Sequence, residues 1–179
     1  RLRAINPDCE VRAVMDFVTD RTLPDYITED LDGVADCIDS VKSKVELIAW
    51  CRRRRIPIVT AGGAGGQIDP TKVTVADLSR TTNDPLAAKA RSQLRRNHNF
   101  PGADSKRSFG VPCVYSTEQL RYPAPDGTVC LQKSFDGETV KLDCEGGLGA
   151  VSMVTGTFGL VLAARLVDRI LLKAAVGRS

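Results

Sequence analysis

Two short apolar stretches and the helix-like segment between them decide the fold. The first, Gly33-Val34-Ala35-Asp36-Cys37-Ile38, and the second, Ile56-Pro57-Ile58-Val59-Thr60-Ala61, have strand length and no clean polar–apolar alternation. Such runs are typical of parallel strands that are buried on both faces. Between them, residues 43–54 place Val45 and Ile48 on one helical face. This order predicts a βαβ unit with parallel strands.

The pattern extends in both directions from this unit. Upstream, residues 9–18 predict another strand and residues 22–29 a short helix. Downstream, residues 68–78 predict a strand or hairpin arm, and residues 84–96 predict a helix that begins with a favourable Asp-Pro pair. The remaining predicted elements are strands over 111–122 and 128–134 and an apolar helix over 148–172. We therefore expect one α/β domain over 1–179: a Rossmann-like, mostly parallel sheet flanked by helices, then an antiparallel extension and a C-terminal apolar helix.

The composition is globular, but the charge is unevenly distributed. The chain has 179 residues, 42% hydrophobic and 26% charged, which excludes a disordered or collagen-like chain. The formal net charge is +3. Residues 1–46 carry 6 Lys/Arg and 11 Asp/Glu, residues 47–110 carry 12 and 4, and residues 111–179 carry 7 and 7. The basic middle third fits a surface for a phosphate backbone, and a solvated charged face would give the same composition.

A run of four arginines ends the helix predicted over 43–54. One or two cations stabilise a helix C-terminus, so four exceed that local need. More basic residues follow on the next predicted helix. The candidate contacts to the phosphate backbone of a nucleic acid are Arg52, Arg53, Arg54, Arg55, Lys89 and Arg91.

The cysteines favour a reducing compartment, and we expect a cytoplasmic protein. There are six, and none forms a Cys-x-x-Cys pair: Cys9, Cys37, Cys51, Cys113, Cys130 and Cys144. A chain of this size does not need disulfides, so buried free thiols are expected. The single histidine, His98, disfavours a zinc site. The apolar segment 148–172 contains Arg165, Asp168 and Arg169, which favours a buried helix over a membrane span, with membrane association left open.

Two acidic residues follow or end the first buried strand. Asp36 and Asp39 lie where ligands bind in open parallel sheets, so Asp39 is a candidate to hold a metal-bound phosphate. Capping of the next helix by Asp39 is the alternative. The glycine-rich stretch 62–66 resembles a phosphate cradle, but Ile68 stands where a dinucleotide fingerprint needs glycine. A tight turn or close backbone approach is therefore expected there.

Several stretches resemble one known family over essentially the whole chain. They are residues 35–40 with Lys44, residues 56–70 ending Gln-Ile-Asp-Pro, residues 84–89, residues 111–118 and residues 149–159. These stretches closely resemble the ubiquitin-activating-enzyme-like (ThiF/MoeB/HesA) family. Within it, they resemble the branch that dehydrates threonylcarbamoyladenosine in transfer RNA. The resemblance implies use of ATP and Mg²⁺ to activate the carboxylate of the modified adenosine, which then cyclises with net loss of water.

The resemblance also implies roles for individual residues. Asp39 matches the catalytic acid that assists the metal-bound phosphates, and is thereby the magnesium ligand. Ser40 and Lys44 stand where relatives have Asn and Arg, so both are expected at the nucleotide, with Lys44 facing a phosphate as a point charge. Cys113 is a candidate for sulfur handling with a cysteine desulfurase. Transfer RNA and a second copy of the chain are the expected partners, and a eukaryotic version would associate with the mitochondrial membrane.

One departure from the family pattern affects the expected activity. Family members begin with another βαβ unit that carries a glycine-rich nucleotide loop, and the present sequence shows no such unit. We therefore expect this chain to be the C-terminal portion of an adenylating-type enzyme and to be inactive alone. Two alternatives stay open. One is activation of a small ubiquitin-like sulfur-carrier protein, and the other is a non-catalytic sulfur-relay or RNA-binding role.

Overall fold

The computed structural model describes residues 1–123, 128–130 and 149–176. Its centre is a four-stranded sheet with the order β1-β2-β4-β3. The strands are β1 (Val34–Asp36), β2 (Ile58–Ala61), β3 (Val73–Asp77) and β4 (Pro112–Ser116). β1, β2 and β4 are parallel, whereas β3 is an antiparallel edge strand. The predicted mostly parallel α/β sheet is confirmed.

Helices cover both faces of this sheet. They are α1 (Leu2–Ile5), α2 (Leu23–Tyr26), α3 (Val41–Arg53), α4 (Pro85–Asn97) and α5 (Ser152–Val176). Short 3-10 turns at Pro70–Lys72 and Leu78–Arg80 flank β3, and β5 (Tyr122–Pro123) pairs with β6 (Val129–Cys130). α4 begins as predicted, because Asp84 accepts a hydrogen bond from the Ala87 amide and a proline occupies the first turn.

The core has one apolar layer on each face of the sheet. α3 and α4 pack on one face, where Ile48, Leu94 and Ile58 are fully buried. α5 packs on the other face and brings Val154 and Phe158 against the strands. No helix in the described parts of the chain is long and apolar enough to cross a membrane. The expected C-terminal helix is present as α5, and one of its faces covers the sheet.

Two of the predicted strands, over 9–18 and 128–134, do not appear in full among the strands described above. The strand predicted over 9–18 is wrong, because this segment is irregular and several of its apolar side chains face solvent; Met15 is 98% exposed and Phe17 85%. A strand needs a neighbour for its backbone groups, and local apolar spacing does not supply one. Most of the strand predicted over 128–134 lies outside the described residues, as do residues 124–127 of the adjoining turn.

Cysteines at four positions are free thiols: Cys9, Cys37, Cys51 and Cys113. Cys51 and Cys113 are buried as predicted. Cys37 is exposed, contrary to the prediction; it is the first residue after β1 and lies outside the strand. The side chains of Cys130 and Cys144 lie outside the described residues.

Candidate nucleotide and metal site at the carboxyl edge of the sheet

The site begins where β1 ends and α3 starts. Asp39 is exposed in this connection and makes no hydrogen bond or ion pair with any residue that the structure describes. The N-cap of α3 is Ser40, whose side chain makes no capping bond, so capping by Asp39 is excluded. The first turn of α3 contains no acidic residue. A free carboxylate thus lies beside uncapped helix amides, which favour a bound anion.

A buried polar cluster supports this connection from below. The Lys44 ammonium donates to Asp36 Oδ2 at 2.7 Å, to Thr60 Oγ1 at 3.0 Å and to the Ala61 carbonyl at 3.0 Å. The Thr60 hydroxyl donates to the same Asp36 oxygen at 2.5 Å, and the Ile38 amide donates to Asp36 Oδ1 at 3.0 Å. Asp36 therefore joins β1, β2 and α3 and fixes the turn that leads to Asp39.

The structure places Lys44 differently from what the family resemblance implies. Its side chain is 1% exposed, and all three ammonium protons are used by protein oxygens. No donor remains for a phosphate while these bonds are kept. The sequence held one signal of this role, since Lys44 precedes Ile48 by four positions and therefore shares the buried face of α3. The importance of Asp36 as the partner of Lys44 was missed.

The glycine-rich segment after β2 is a close backbone approach, as predicted. A Cβ on Gly62 would lie 1.8 Å from Asp84 Oδ2, and the Gly63 amide donates to that same oxygen at 3.0 Å. Desolvation by burial raises the pKa of the Asp84 carboxyl, against the lowering effect of its amide donors. Asp84 therefore ties the end of β2 to the start of α4. Gly66 has a φ of 72°, a conformation that favours glycine.

Cys113 does not belong to this surface. It lies in β4 with 0% exposure, and burial raises the pKa of its thiol far above the ordinary value. A sulfur-handling thiol must reach its partner as a thiolate. The position of Cys113 in the core does not favour the sulfur-handling role that the resemblance implies, and that role stays a prediction. Cys37, two residues before Asp39, is exposed overall. Partial desolvation of its thiol is the main cause that raises the pKa of Cys37.

The candidate RNA contacts form two groups. Lys89 is exposed on α4, and Arg91 on the same helix is half-buried and donates to the Thr81 hydroxyl. The four arginines end α3, a helix of 13 residues and about 20 Å, so they lie at the opposite edge of the sheet from Asp39. The structure thus separates Arg52–Arg55 from the candidate nucleotide site.

The residues at the carboxyl edge fit a magnesium ion that arrives with a nucleotide. No group of three or more His, Cys, Asp or Glu side chains that could hold a metal occurs in the described part of the chain. Magnesium commonly binds one or two carboxylates, with phosphate and water oxygens completing its shell. Asp39 supplies one such carboxylate, which suits a shared metal and does not suit a resident one.

Together, the mostly parallel sheet and its flanking helices define a Rossmann-like α/β class of protein, in which ligands commonly bind at the carboxyl edge of the strands. Its family follows from sequence comparison, in which the ThiF family matches residues 1–177. The chain belongs to the ThiF family.

Similar proteins narrow the comparison further. The chain is 49% identical over 175 residues to the tRNA threonylcarbamoyladenosine dehydratase of Escherichia coli (strain K12), covering 98% of this chain and 65% of that protein. It matches the solved structure of TcdA (CsdL) with a TM-score of 0.84 and 46% identity, over 97% of this chain and 63% of the other. The E. coli TcdA structure in complex with ATP matches with a TM-score of 0.80 and 44% identity, covering 97% of this chain and 62% of that one. The chain therefore spans slightly less than two thirds of these relatives.

Proposed function

We propose that this chain is the portion of an ATP-dependent tRNA threonylcarbamoyladenosine dehydratase that receives the metal-bound phosphates of ATP. The observation that carries the proposal is the exposed, unpaired Asp39 at the carboxyl edge of the sheet, fixed from below by the buried Asp36. The high identity to the E. coli dehydratase and the ATP complex of TcdA support the same assignment.

Each polar group at the edge has a distinct part in this function. ATP with Mg²⁺ supplies the activation of the substrate carboxylate and the phosphate leaving group. The Asp39 carboxylate binds the metal, and the free amides of the first turn of α3 bind phosphate oxygens. The Ser40 hydroxyl makes no capping bond and is available to the nucleotide. Lys44 acts indirectly, because its ammonium holds Asp36 and thereby the turn that carries Asp39.

Transfer RNA is the proposed partner of the basic residues. Lys89 lies on α4, which begins next to the glycine-rich segment at the carboxyl edge. This position supports a contact between Lys89 and RNA whose modified nucleotide enters the nucleotide site. Arg91 lies on the same helix, with its guanidinium partly used by Thr81. Phosphate contacts of this kind position the RNA without reading its sequence.

A second copy of the chain is the proposed partner of α5. One face of this helix packs on the sheet, while Leu160 is 77% exposed, Leu171 63% and Leu172 66%. Exposed apolar patches of this kind are typical of interfaces between proteins. Sedimentation equilibrium is expected to show a dimer that Leu160→Lys with Leu171→Lys converts to a monomer. A monomeric wild-type chain would contradict this pairing.

The alternatives from the sequence are less well supported. Activation of a sulfur-carrier protein would use the same nucleotide chemistry, but the relatives described above are named for the dehydratase activity. A sulfur relay with a cysteine desulfurase needs an accessible thiol, and Cys113 is fully buried. Pyrophosphate exchange triggered by a Gly-Gly-ended protein, and not by modified transfer RNA, would favour carrier activation.

A fusion protein tests the proposal. The part of the E. coli relative that lies outside the aligned region is placed before Arg1, since the match covers 65% of that protein. Mass spectrometry of nucleosides from threonylcarbamoyladenosine-containing transfer RNA should show ATP-dependent loss of one water. Asp39→Asn is expected to lower the rate of this dehydration by about 100-fold or more. Asp32→Asn, an exposed acid that precedes β1, is the matched control and should retain activity.

Two outcomes would contradict the proposal. One is full activity of the Asp39→Asn fusion, and the other is failure of the wild-type fusion to dehydrate the nucleoside although it binds ATP. Micromolar ATP affinity of the 179-residue chain would show separately that the expected dependence on a further nucleotide loop is wrong.

A further inference from the structure

A small cleft lies at the end of the molecule opposite Asp39. It is bounded by the last turn of α3 and by the loop that follows α4, and its volume is about 220 Å³. Arg52, Arg53, His98 and Arg107 line it, and none of its lining residues carries a carboxylate. We call this site the arginine cleft. Its size is below the roughly 300 Å³ at which sites for drug-sized ligands begin, so it suits a small group.

The loop that forms one wall of the cleft is held in place. Asp77 Oδ1 accepts from the Phe109 amide at 2.9 Å, and Asp77 Oδ2 accepts from the Val111 amide at 3.0 Å. Gly110 has a φ of 69°, and a Cβ there would lie 3.0 Å from the Arg52 guanidinium. Because the loop is anchored and glycine permits the close approach, the arginine cleft exists before any ligand binds.

The basic residues around this end divide by what they already contact. Arg54 lies over the Trp50 ring at 3.3 Å, and Arg95 donates to the Pro101 carbonyl at 3.1 Å. These two side chains have structural contacts. In contrast, the guanidinium groups of three residues make no hydrogen bond or ion pair in the described parts of the chain: Arg52, Arg53 and Arg107.

Two further observations concern the charges around the cleft. The side chain of His98 is 10% exposed, and its buried Nε2 atom has no hydrogen-bond partner among the described residues; the Glu46 carboxylate, which is not part of the cleft lining, lies 3.5 Å from it. Desolvation by burial lowers the pKa of the Arg169 guanidinium on α5, and like-charge repulsion from Arg52 lowers it further. The Asp77 carboxylate, which anchors the loop, is already occupied by amide donors. A bound anion would relieve the repulsion and satisfy the free donors.

We propose that the arginine cleft binds a backbone phosphate of RNA, through the guanidinium groups of Arg52, Arg53 and Arg107. Guanidinium groups match phosphate oxygens with paired donors, and a phosphodiester is small enough for the cleft. The proposal rests on the proposed function for the identity of the RNA as transfer RNA. The two sites lie at opposite ends of α3, about 20 Å apart, so one RNA molecule contacts both edges of the sheet.

Fluorescence anisotropy with an unmodified transfer RNA transcript and the 179-residue chain tests the cleft without the nucleotide site. Replacement of all three arginines by Gln should weaken binding about tenfold or more at 0.1 M salt, because all three guanidinium contacts to the phosphate are lost. The slope of log affinity against log salt concentration should also fall by roughly 1, since one phosphate is no longer neutralised. Because Arg52 packs on Gly110, the double variant Arg53→Gln with Arg107→Gln is measured in parallel and should show a smaller loss.

A matched control separates the site from net charge. The variant Arg1→Gln, Arg12→Gln and Arg21→Gln removes the same charge from exposed positions in the first 22 residues and should keep the wild-type salt slope. Equal losses in both triple variants, or wild-type binding by the cleft variant, would overturn the proposal. Competition by an acidic polypeptide but not by RNA would assign the cleft to a protein partner and would overturn it as well.

The outcome is independent of the nucleotide chemistry. Loss of RNA affinity in the cleft variant, together with an inactive wild-type fusion, would support the cleft and contradict the dehydratase proposal. A fully active fusion whose RNA affinity does not depend on Arg52, Arg53 and Arg107 would support the dehydratase proposal and contradict the proposed phosphate site in the cleft.

Discussion

Lys44→Met tests whether the buried cluster below Asp39 supports the fold. The substitution keeps a long side chain but removes the ammonium that joins Asp36, Thr60 and the Ala61 carbonyl. Asp36 is 0% exposed, so its carboxylate would remain buried with only the Thr60 hydroxyl and the Ile38 amide as donors. An uncompensated buried charge is costly, whereas the intact pair contributes little beyond its own desolvation.

The expected loss in the free energy of unfolding is about 3–5 kcal/mol. For a chain of this length, that corresponds to a fall in Tm of roughly 6–20 °C. Urea denaturation of the 179-residue chain, followed by far-ultraviolet circular dichroism, measures the change. Lys42→Met is the control, because Lys42 is exposed on the same helix and its loss should change stability by less than about 0.5 kcal/mol.

A second variant checks the physical reason for the loss. Adding Asp36→Asn to Lys44→Met removes the unpaired buried carboxylate. The double variant should regain at least about 1 kcal/mol of the free energy of unfolding. If Lys44→Met costs no more than Lys42→Met, the ammonium is not held in the core and the assignment of Lys44 as a structural residue fails. Equal stability of the single and double variants would show that the cost does not come from an unpaired carboxylate.

Other features give predictions that can be measured on the same chain. Gly62→Ala should lower the free energy of unfolding by about 1–3 kcal/mol because its Cβ would lie 1.8 Å from a carboxylate oxygen, whereas Gly63→Ala, with its nearest neighbour at 3.6 Å, should be tolerated; equal effects would refute the close approach. In alkylation mapped by mass spectrometry, Cys37 should react in the native protein and Cys113 only after unfolding, and early labelling of Cys113 would contradict its burial. Burial raises the pKa of the Asp77 carboxyl, but hydrogen bonds to its carboxylate outweigh this and lower the pKa below its ordinary value. Its contribution to stability is therefore present above about pH 4 and lost as the pH falls through the lowered pKa, so Asp77→Asn should flatten the acid limb of a stability–pH curve.

Elements with strong local signals could be predicted from the sequence. The apolar runs ending at Asp36 and Ala61 became β1 and β2, since buried parallel strands need no alternation. The Asp-Pro pair at Asp84 set the start of α4. In contrast, Val14 and Phe17 suggested a strand where the chain is irregular and these side chains are exposed, because strand formation depends on a neighbour that local spacing cannot show.

The site was predicted in part. The position of Asp39 after a buried strand was enough to place it at the carboxyl edge of the sheet. The role of Lys44 could not be read from its charge alone, because its partner Asp36 is eight residues away and Thr60 lies on another strand. The family resemblance suggested a phosphate contact, but the depth of Lys44 in the core depends on how α3 rotates against the sheet.

The coupling between magnesium and ATP tests the central claim most directly. ATP affinity of the fusion protein is measured by isothermal titration calorimetry with and without Mg²⁺, for the wild type, Asp39→Asn and the Asp32→Asn control. If Asp39 holds the metal-bound phosphates, Mg²⁺ should strengthen ATP binding in the wild type and in Asp32→Asn, and Asp39→Asn should remove most of that enhancement. An unchanged magnesium enhancement in Asp39→Asn would contradict the assignment of Asp39.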